Sequence, residues 1–379
     1  MDLYTDSGLK ISLSLNLKFW IGRYLILSIF AKSIKKILRT SRDSSFNWIE
    51  IQALKSLNFL PRFNFVEQRL ITVTPRAGRG LKEPSLDGEF FGTIPNNYKK
   101  NFKHMHYNSR FWILDSLKII FHLHTKRNLK IILIQYVPVF FKFPSIGLLN
   151  ELHDRGVKII KIWPDSWNID FWQKRILPVS HIGQLNIITD IPNNQFIKLD
   201  KANNYSWHPL PTKDFPYINF EKRENFIFYS GGISHEGLYK SRREYLEYLN
   251  DNGFVVNGVS YDRNKPIGRP VYEDYRNALA NSRIGLNFNW KGDVDVITGR
   301  TWEIFSSGSL LLQSSSKILD GLFDEGVHYL AFSSKEDLLA RLNFLSENPT
   351  YAETIASSGH LRYRELTDAE NFWRNLIQR

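Results

Sequence analysis

Asn225–Tyr229 (NFIFY), followed by Ser230-Gly231-Gly232-Ile233-Ser234-His235, opens the stretch whose reading decides the fold. The apolar run is too short for a helix and reads as a buried strand that ends in a glycine turn. A helix is predicted near Ser241–Asn250 with Gly253 after it, then a strand over Phe254–Val259, a helix near Tyr272–Ala280 and a strand over Arg283–Phe288. The series continues with a helix around Thr301–Phe305 and strands over Ser309–Leu312 and Tyr329–Phe332. The next helix starts at Lys335, where Ser334 and Asp337 stand at capping-box spacing. Strands alternating with helices imply a parallel sheet covered by helices.

The same grammar appears upstream. A helix near Phe111–His124 leads to the strand Lys130–Tyr136 (KIILIQY). A helix over Ser145–Arg155, closed by Gly156, precedes the strand Val157–Ile162, and Gln184–Thr189 is a third strand ending at Asp190. Between the two series Asn203–Tyr217 holds prolines 209, 211 and 216 and reads as an interdomain linker. Residues 40–110 carry no motif, and Pro75–Pro95 reads as a long loop. The expectation is an α/β chain of two Rossmann-like domains facing across a cleft. It divides into a basic, partly amphipathic segment over 1–60, an N-terminal domain over 61–210, a C-terminal domain over 211–365, and a last helix over 366–379 crossing back.

At 379 residues the chain suits two domains better than one. Hydrophobic residues at 42% and aromatics at 14% supply real cores and exclude disorder. No cysteine is present, so disulfides and thiolate metal sites are excluded and a reducing, cytoplasmic setting is expected. The net charge of +12 is lopsided: residues 1–130 carry 22 Lys/Arg against 9 Asp/Glu, and the rest 28 against 29. Such a surface suits a polyanion. Leu17–Arg39 (LKFWIGRYLILSIFAKSIKKILR) is too often interrupted by charge to span a bilayer. It either lies in the interface plane of an anionic membrane, at its inner face, or packs on its own domain. A secretory signal fits less well, because the charged lead-in is long and no small-residue cleavage site follows.

Chemistry concentrates in two places. Gly231 and Gly232 let the backbone approach a phosphate, and Lys240, Arg242 and Arg243 on the next helix either reach a diphosphate or form a solvated face. Asp293–Leu312 (DVDVITGRTWEIFSSGSLLL) carries Asp295 and Glu303 eight apart with Arg300 between them. A carboxylate can hold vicinal hydroxyls of a ribose, and Arg300 can fork a phosphate; alternatively Arg300 and Glu303 pair at i,i+3 spacing. In the first half Asp165, after the second strand, is a candidate general base or acceptor contact, with capping of the turn as the alternative. His181, His208 and His235 are further candidates, each also readable as structural. No metal cluster and no strand-linked G-x-G-x-x-G is present.

Gly299-Arg300-x-x-Glu303-Ile304-x-x-x-Gly308-x-Leu310-Leu311, then Leu322-Phe323-x-x-Gly326, Pro349 and Ile355-Ala356-x-x-Gly359 resemble the C-terminal domain of the spore-maturation-type glycosyltransferases, relatives of the group-1 family. Tyr229-Ser230-Gly231-Gly232, Arg242-Arg243 and Ile284–Phe288 extend the resemblance over roughly residues 205–379, and Lys161–Trp167 looks like the acceptor side of the same proteins. The resemblance implies a GT-B fold and transfer of sugar from a nucleoside-diphosphate sugar to a glycan, lipid-linked or other cell-envelope acceptor. It suits a metal-independent enzyme without a cofactor; no nucleic-acid partner is expected, because no nucleic-acid motif accompanies the basic region. The resemblance gives Glu303 the nucleotide's ribose, and Gly231, Gly232 and Arg300 the diphosphate, with Arg242 the basic residue of the next helix expected to join them. Asp295 stands where the Glu-x7-Glu motif has its first glutamate, one methylene shorter. A degenerate, transferase-like binding protein is the alternative reading.

Overall fold

The computed structural model describes residues 3–4, 10–11, 70–75, 93–95, 102–107, 131–135, 146–154, 156–163, 166–167, 169–190, 204–209, 211–212, 214–233, 239–262, 272–291 and 294–378. The segment Leu17–Arg39, the helix expected over 111–124, Asp165 and His235 lie outside them. β1 (Leu3–Tyr4) and β2 (Lys10–Ile11) form an antiparallel pair of their own.

The first large sheet contains β3 (Leu70–Pro75), β4 (Phe102–Tyr107), β5 (Ile131–Gln135), β6 (Lys158–Trp163), β7 (Leu185–Ile188) and β8 (Tyr205–Trp207). Its order is β4-β3-β5-β6-β7-β8 and every pairing is parallel. Parallel neighbours need crossovers. Helix α1 (Ile146–Asp154) links β5 to β6; α2 links β6 to β7, running from Ile169–Phe171 through a π turn at Trp172–Ile176 into Leu177–Ser180. Ile159, Ile160, Ile162 and Trp163 are wholly buried, as a strand covered on both faces requires. Lys161 is equally buried; its ammonium donates to the carbonyls of Val179, Ser180 and Ile182 at the end of α2, the helix's negative pole.

Two of these strands fall where the sequence carries no motif, and β8 takes three residues from the expected linker. Their partners explain it: β3 sits between β4 and β5, and β8 completes the edge beside β7. Pairing partners far along the chain make these segments strands, and a local pattern cannot report them.

The second sheet contains β9 (Asn225–Ile233), β10 (Val256–Asp262), β11 (Ser282–Asn287), β14 (Leu310–Ser314) and β15 (Leu330–Phe332), all parallel, in the order β10-β9-β11-β14-β15. Between β11 and β14 the chain makes a small antiparallel pair, β12 (Trp290–Lys291) and β13 (Val294–Asp295). The helices are α3 (Lys240–Asp251), α4 (Tyr272–Ala280), α5 (Gly299–Ser307), α6 (Lys335–Glu347), α7 (Pro349–Leu366) and α8 (Ala369–Gln378). The period-2 geometry of the strands splits their apolar residues between two cores. Ile227, Tyr229, Leu310, Leu312, Leu330 and Phe332 face Leu249 of α3, Leu338 and Leu342 of α6 and Ile355 of α7. Phe228, Leu311 and Ala331 face Tyr275 and Leu279 of α4 and Trp302 and Phe305 of α5. Gly308, at φ 69°, ends α5 in the left-handed region that a side chain would resist. Ser334 caps α6, accepting from the Asp337 amide at 3.1 Å.

Several contacts join the halves. The last helix, α8, packs Phe372, Trp373 and Leu376 against Ile94, Ile160, Ile162 and Ile187 of the N-terminal half, and Trp373 Nε1 donates to Thr93 Oγ1 at 2.9 Å. The Ile297 amide, just before α5, donates to the Asp190 carbonyl just after β7 at 2.8 Å. Among the described residues no helix is long and apolar enough to cross a membrane.

Candidate functional site

In the second sheet β9 lies between β10 and β11, so the connections leaving β9 and β10 run to opposite sides and a crevice opens beyond the carboxyl ends of β9 and β11. The glycine pair lies at that end. It is not a free turn, as the sequence suggests: β9 runs on through Ile233, with Gly231 paired to Ser260 and Gly232 to Tyr261. The reason for glycine at 231 is space. A Cβ there would stand 2.6 Å from Arg300 Nη1 and 2.6 Å from Tyr229 Oη, whereas at Gly232 the nearest atoms belong to the Tyr239 ring at 3.8 Å.

Arg300 is therefore packed onto the backbone of β9. Its guanidinium stands 5.8 Å from the centre of the Tyr229 ring, and its buried Nη1 has no hydrogen-bond partner among the described residues. Glu303, one turn along α5, is 5% exposed. Its Oε2 accepts from the Tyr275 hydroxyl at 2.5 Å, and Oε1 accepts no hydrogen bond from any described residue. Burial pushes this carboxyl above the usual range, while the Tyr275 hydrogen bond and the charge of Arg300 pull it back. Arg300 and Glu303 attract one another, but each keeps an unused hydrogen-bonding atom.

The three basic residues of α3 separate. Lys240 pairs with Glu244, and Arg243 donates to Glu247 at 2.6 Å, both on the outer face. Arg242 is buried; its guanidinium stands 4.8 Å from the centre of the Tyr239 ring and reaches toward the Phe288 carbonyl, at 3.5 Å, just past the end of β11. Burial lowers its pKa, and repulsion from Arg300 adds to that. Two guanidinium groups close enough to repel each other place positive charge at this end of the sheet. The N-terminus of α5 reinforces it: the Thr298 side chain does not cap the helix but turns to Asn287 and Thr301, and the Gly299 position is open.

Of the remaining predicted residues, none has a contact with Arg300 or Glu303 among the described residues. Asp295, in β13, is exposed and accepts from Ser316 Oγ at 2.8 Å. Asp165 is outside the described residues, although its neighbours Ser166 and Trp167 are tied down: the buried Asp190 carboxylate accepts from Ser166 Oγ and, at 3.1 Å, from the Trp167 amide. His181 is exposed at the end of α2, and His208 packs its ring on Phe372 at 4.7 Å, between the halves. Tyr275 escaped the sequence reading, since a tyrosine on the inner face of α4 has the signature of a core aromatic and its partner is 28 residues away. A cavity of about 490 Å3 opens elsewhere, between Thr93, Thr212, Asp214, Arg364, Asp368 and Glu370. Its arginine is paired with Asp214, so it offers no comparable charge.

The family described as "Glycosyl transferase-like" matches residues 240–378. No curated protein matches the sequence. Among solved structures, Anabaena Alr3699/HepE in complex with UDP-glucose is similar at a TM-score of 0.52 and 10% identity, over 82% of this chain and 98% of that one. Sucrose-phosphate synthase (tll1590) from Thermosynechococcus elongatus is similar at a TM-score of 0.50 and 10% identity, over 82% of this chain and 100% of that one. The two parallel α/β sheets and these likenesses make the fold GT-B. The stretch similar to that family, residues 240–378, contains Arg242, Arg300 and Glu303.

Proposed function

We propose that the chain is a glycosyltransferase that takes a sugar from a nucleoside-diphosphate sugar held at the carboxyl ends of β9 and β11. The observation that carries this reading is the pair of unused atoms on α5: Glu303 Oε1, an acceptor suited to a ribose hydroxyl, and Arg300 Nη1, a donor suited to a phosphate oxygen. Arg300 Nη1 is buried without a partner among the described residues, which is destabilising, and a ligand that supplies the partner recovers that energy on binding.

In transfer the bond between the anomeric carbon and the diphosphate oxygen breaks, a bond from that carbon to an acceptor hydroxyl oxygen forms, and the hydroxyl proton passes to a base. Negative charge grows on the departing diphosphate. Arg300, the nearby Arg242 and the N-terminus of α5 would meet that charge, so the reading calls for no resident cofactor or metal. Asp165 and Asp295 are the candidates for the base. The acceptor is a glycan, a lipid-linked saccharide or another cell-envelope molecule, and the basic surplus of residues 1–130 suits an acceptor at the inner face of an anionic membrane.

The test is thermal unfolding against UDP, GDP, ADP and CDP and their sugars. UDP comes first, because the similar Alr3699/HepE structure was solved with UDP-glucose. A ligand at 100 times its Kd adds about 2.7 kcal/mol to the folded state. A selective rise that disappears in Glu303→Ala supports the donor site. Folded protein whose unfolding temperature responds to none of them refutes it, and moves the binding-protein reading ahead.

A further inference from the structure

Glu303 is held by a side chain that the donor-site reading leaves without a task. Tyr275 sits on the inner face of α4, 9% exposed, with its ring 5.7 Å from that of Phe228. Its hydroxyl is committed to Glu303 Oε2. The carboxylate is thus turned so that one oxygen is occupied from the α4 side while the other has no protein donor. A carboxyl group 95% out of solvent has two ways to satisfy itself: it takes up a proton, or it keeps its charge because donors surround it. Tyr275 supplies one such donor.

We infer that Tyr275 is a positioning residue for nucleotide binding: its hydroxyl holds Oε2 and keeps Glu303 an anion, leaving Oε1 as the acceptor presented to a ribose hydroxyl. The inference rests on the donor-site reading above. A protonated Glu303 would carry a hydrogen on the atom that must accept one, so ionisation and binding are linked. The titratable groups acting on the carboxylate are Tyr275 from α4 and Arg300 from its own helix, and the ring of Tyr229 in β9 lies beside Arg300. Burial raises the proton affinity of Glu303, and removing the Tyr275 hydroxyl raises it further.

The experiment compares wild type with Tyr275→Phe, which keeps the ring against Phe228. UDP affinity is measured by calorimetry from pH 5 to pH 8, with the unfolding temperature of each protein recorded at each pH. The variant is expected to stay folded and to bind UDP more weakly than wild type at the acid end, by about tenfold, the scale of one lost hydrogen bond. The gap narrows as the pH rises and both carboxyls ionise. Two curves of the same shape, whether superposed or offset by a constant factor, overturn the role of Tyr275 while leaving the donor site standing. If wild type binds neither UDP nor any other nucleoside diphosphate at any pH, the donor-site reading fails and Tyr275 has no nucleotide to position.

Discussion

Replacing Gly231 by alanine tests whether Arg300 is a ligand-binding group set in place by the backbone of β9. The new Cβ would lie 2.6 Å from Arg300 Nη1, 3.0 Å from Arg300 Cζ and 2.6 Å from Tyr229 Oη. Carbon contacts are comfortable near 3.5–4.0 Å, so something must retreat by about 1 Å. Tyr229 is 1% exposed and wedged against Phe288, with its ring centre 5.6 Å away, whereas Arg300 ends a flexible chain at the edge of the crevice. The guanidinium moves. The penalty to the fold is about 1 kcal/mol, the low end for overpacking. A displaced guanidinium loses its bond to a phosphate oxygen, which contributes about 1.5–3 kcal/mol, or roughly a 10- to 100-fold weaker UDP Kd. Calorimetry on Gly231→Ala, Gly232→Ala and Arg300→Ala reads this directly. Gly232→Ala, whose Cβ meets only the Tyr239 ring at 3.8 Å, is expected to bind like wild type. Because both changes act through one guanidinium, the double variant Gly231→Ala/Arg300→Ala should be no weaker than Arg300→Ala alone. Additive losses, or unchanged binding by Gly231→Ala, would refute the reasoning.

Other outcomes follow from the same contacts. Glu303→Gln keeps an acceptor for Tyr275 but removes a buried charge; since the folded-state pKa is raised, wild type loses stability as pH climbs from the unfolded value near 4.3 through the folded one. The unliganded variant should therefore unfold at a higher temperature than wild type at pH 7, with the advantage gone near pH 4, and bind UDP at least about tenfold more weakly; an equal or lower unfolding temperature at pH 7 contradicts the burial cost. Gly258, at φ 143°, would carry a Cβ 1.9 Å from the Tyr229 carbonyl oxygen, so Gly258→Ala forces β10 off β9 and is expected to abolish soluble expression. Trp373→Ala empties a buried site between α8 and the first sheet and removes the bond to Thr93. Its unfolding free energy should fall by about 3–5 kcal/mol, with α8 opened to limited proteolysis and UDP affinity unchanged, because the donor site lies in the other half.

Much of the second half could be read from the residues alone, because its elements are local. The helix at Tyr272–Ala280 and the Ser334 cap on α6 follow from side chains within a few positions of one another, and so does the alternation that makes a parallel α/β sheet. The strands Leu70–Pro75, Phe102–Tyr107 and Tyr205–Trp207 do not, since what makes each a strand is a neighbour supplied from elsewhere in the chain. The same division runs through the candidate site. Glu303, Arg300 and the glycine pair stand out by type and spacing. Pairing carries β9 through the glycines, and the space at Gly231 is taken up by Arg300 from 69 positions along. Lys240, Arg242 and Arg243 are alike as text, and only the helix's orientation buries Arg242 near Arg300 while its neighbours meet glutamates. Tyr275 becomes part of the site only because α4 and α5 lie side by side on one face of the sheet. Chemistry that depends on residue type is written locally in the chain; which atoms stay unpaired, and which carboxylate oxygen is held, depends on distances that close only when the sheet assembles.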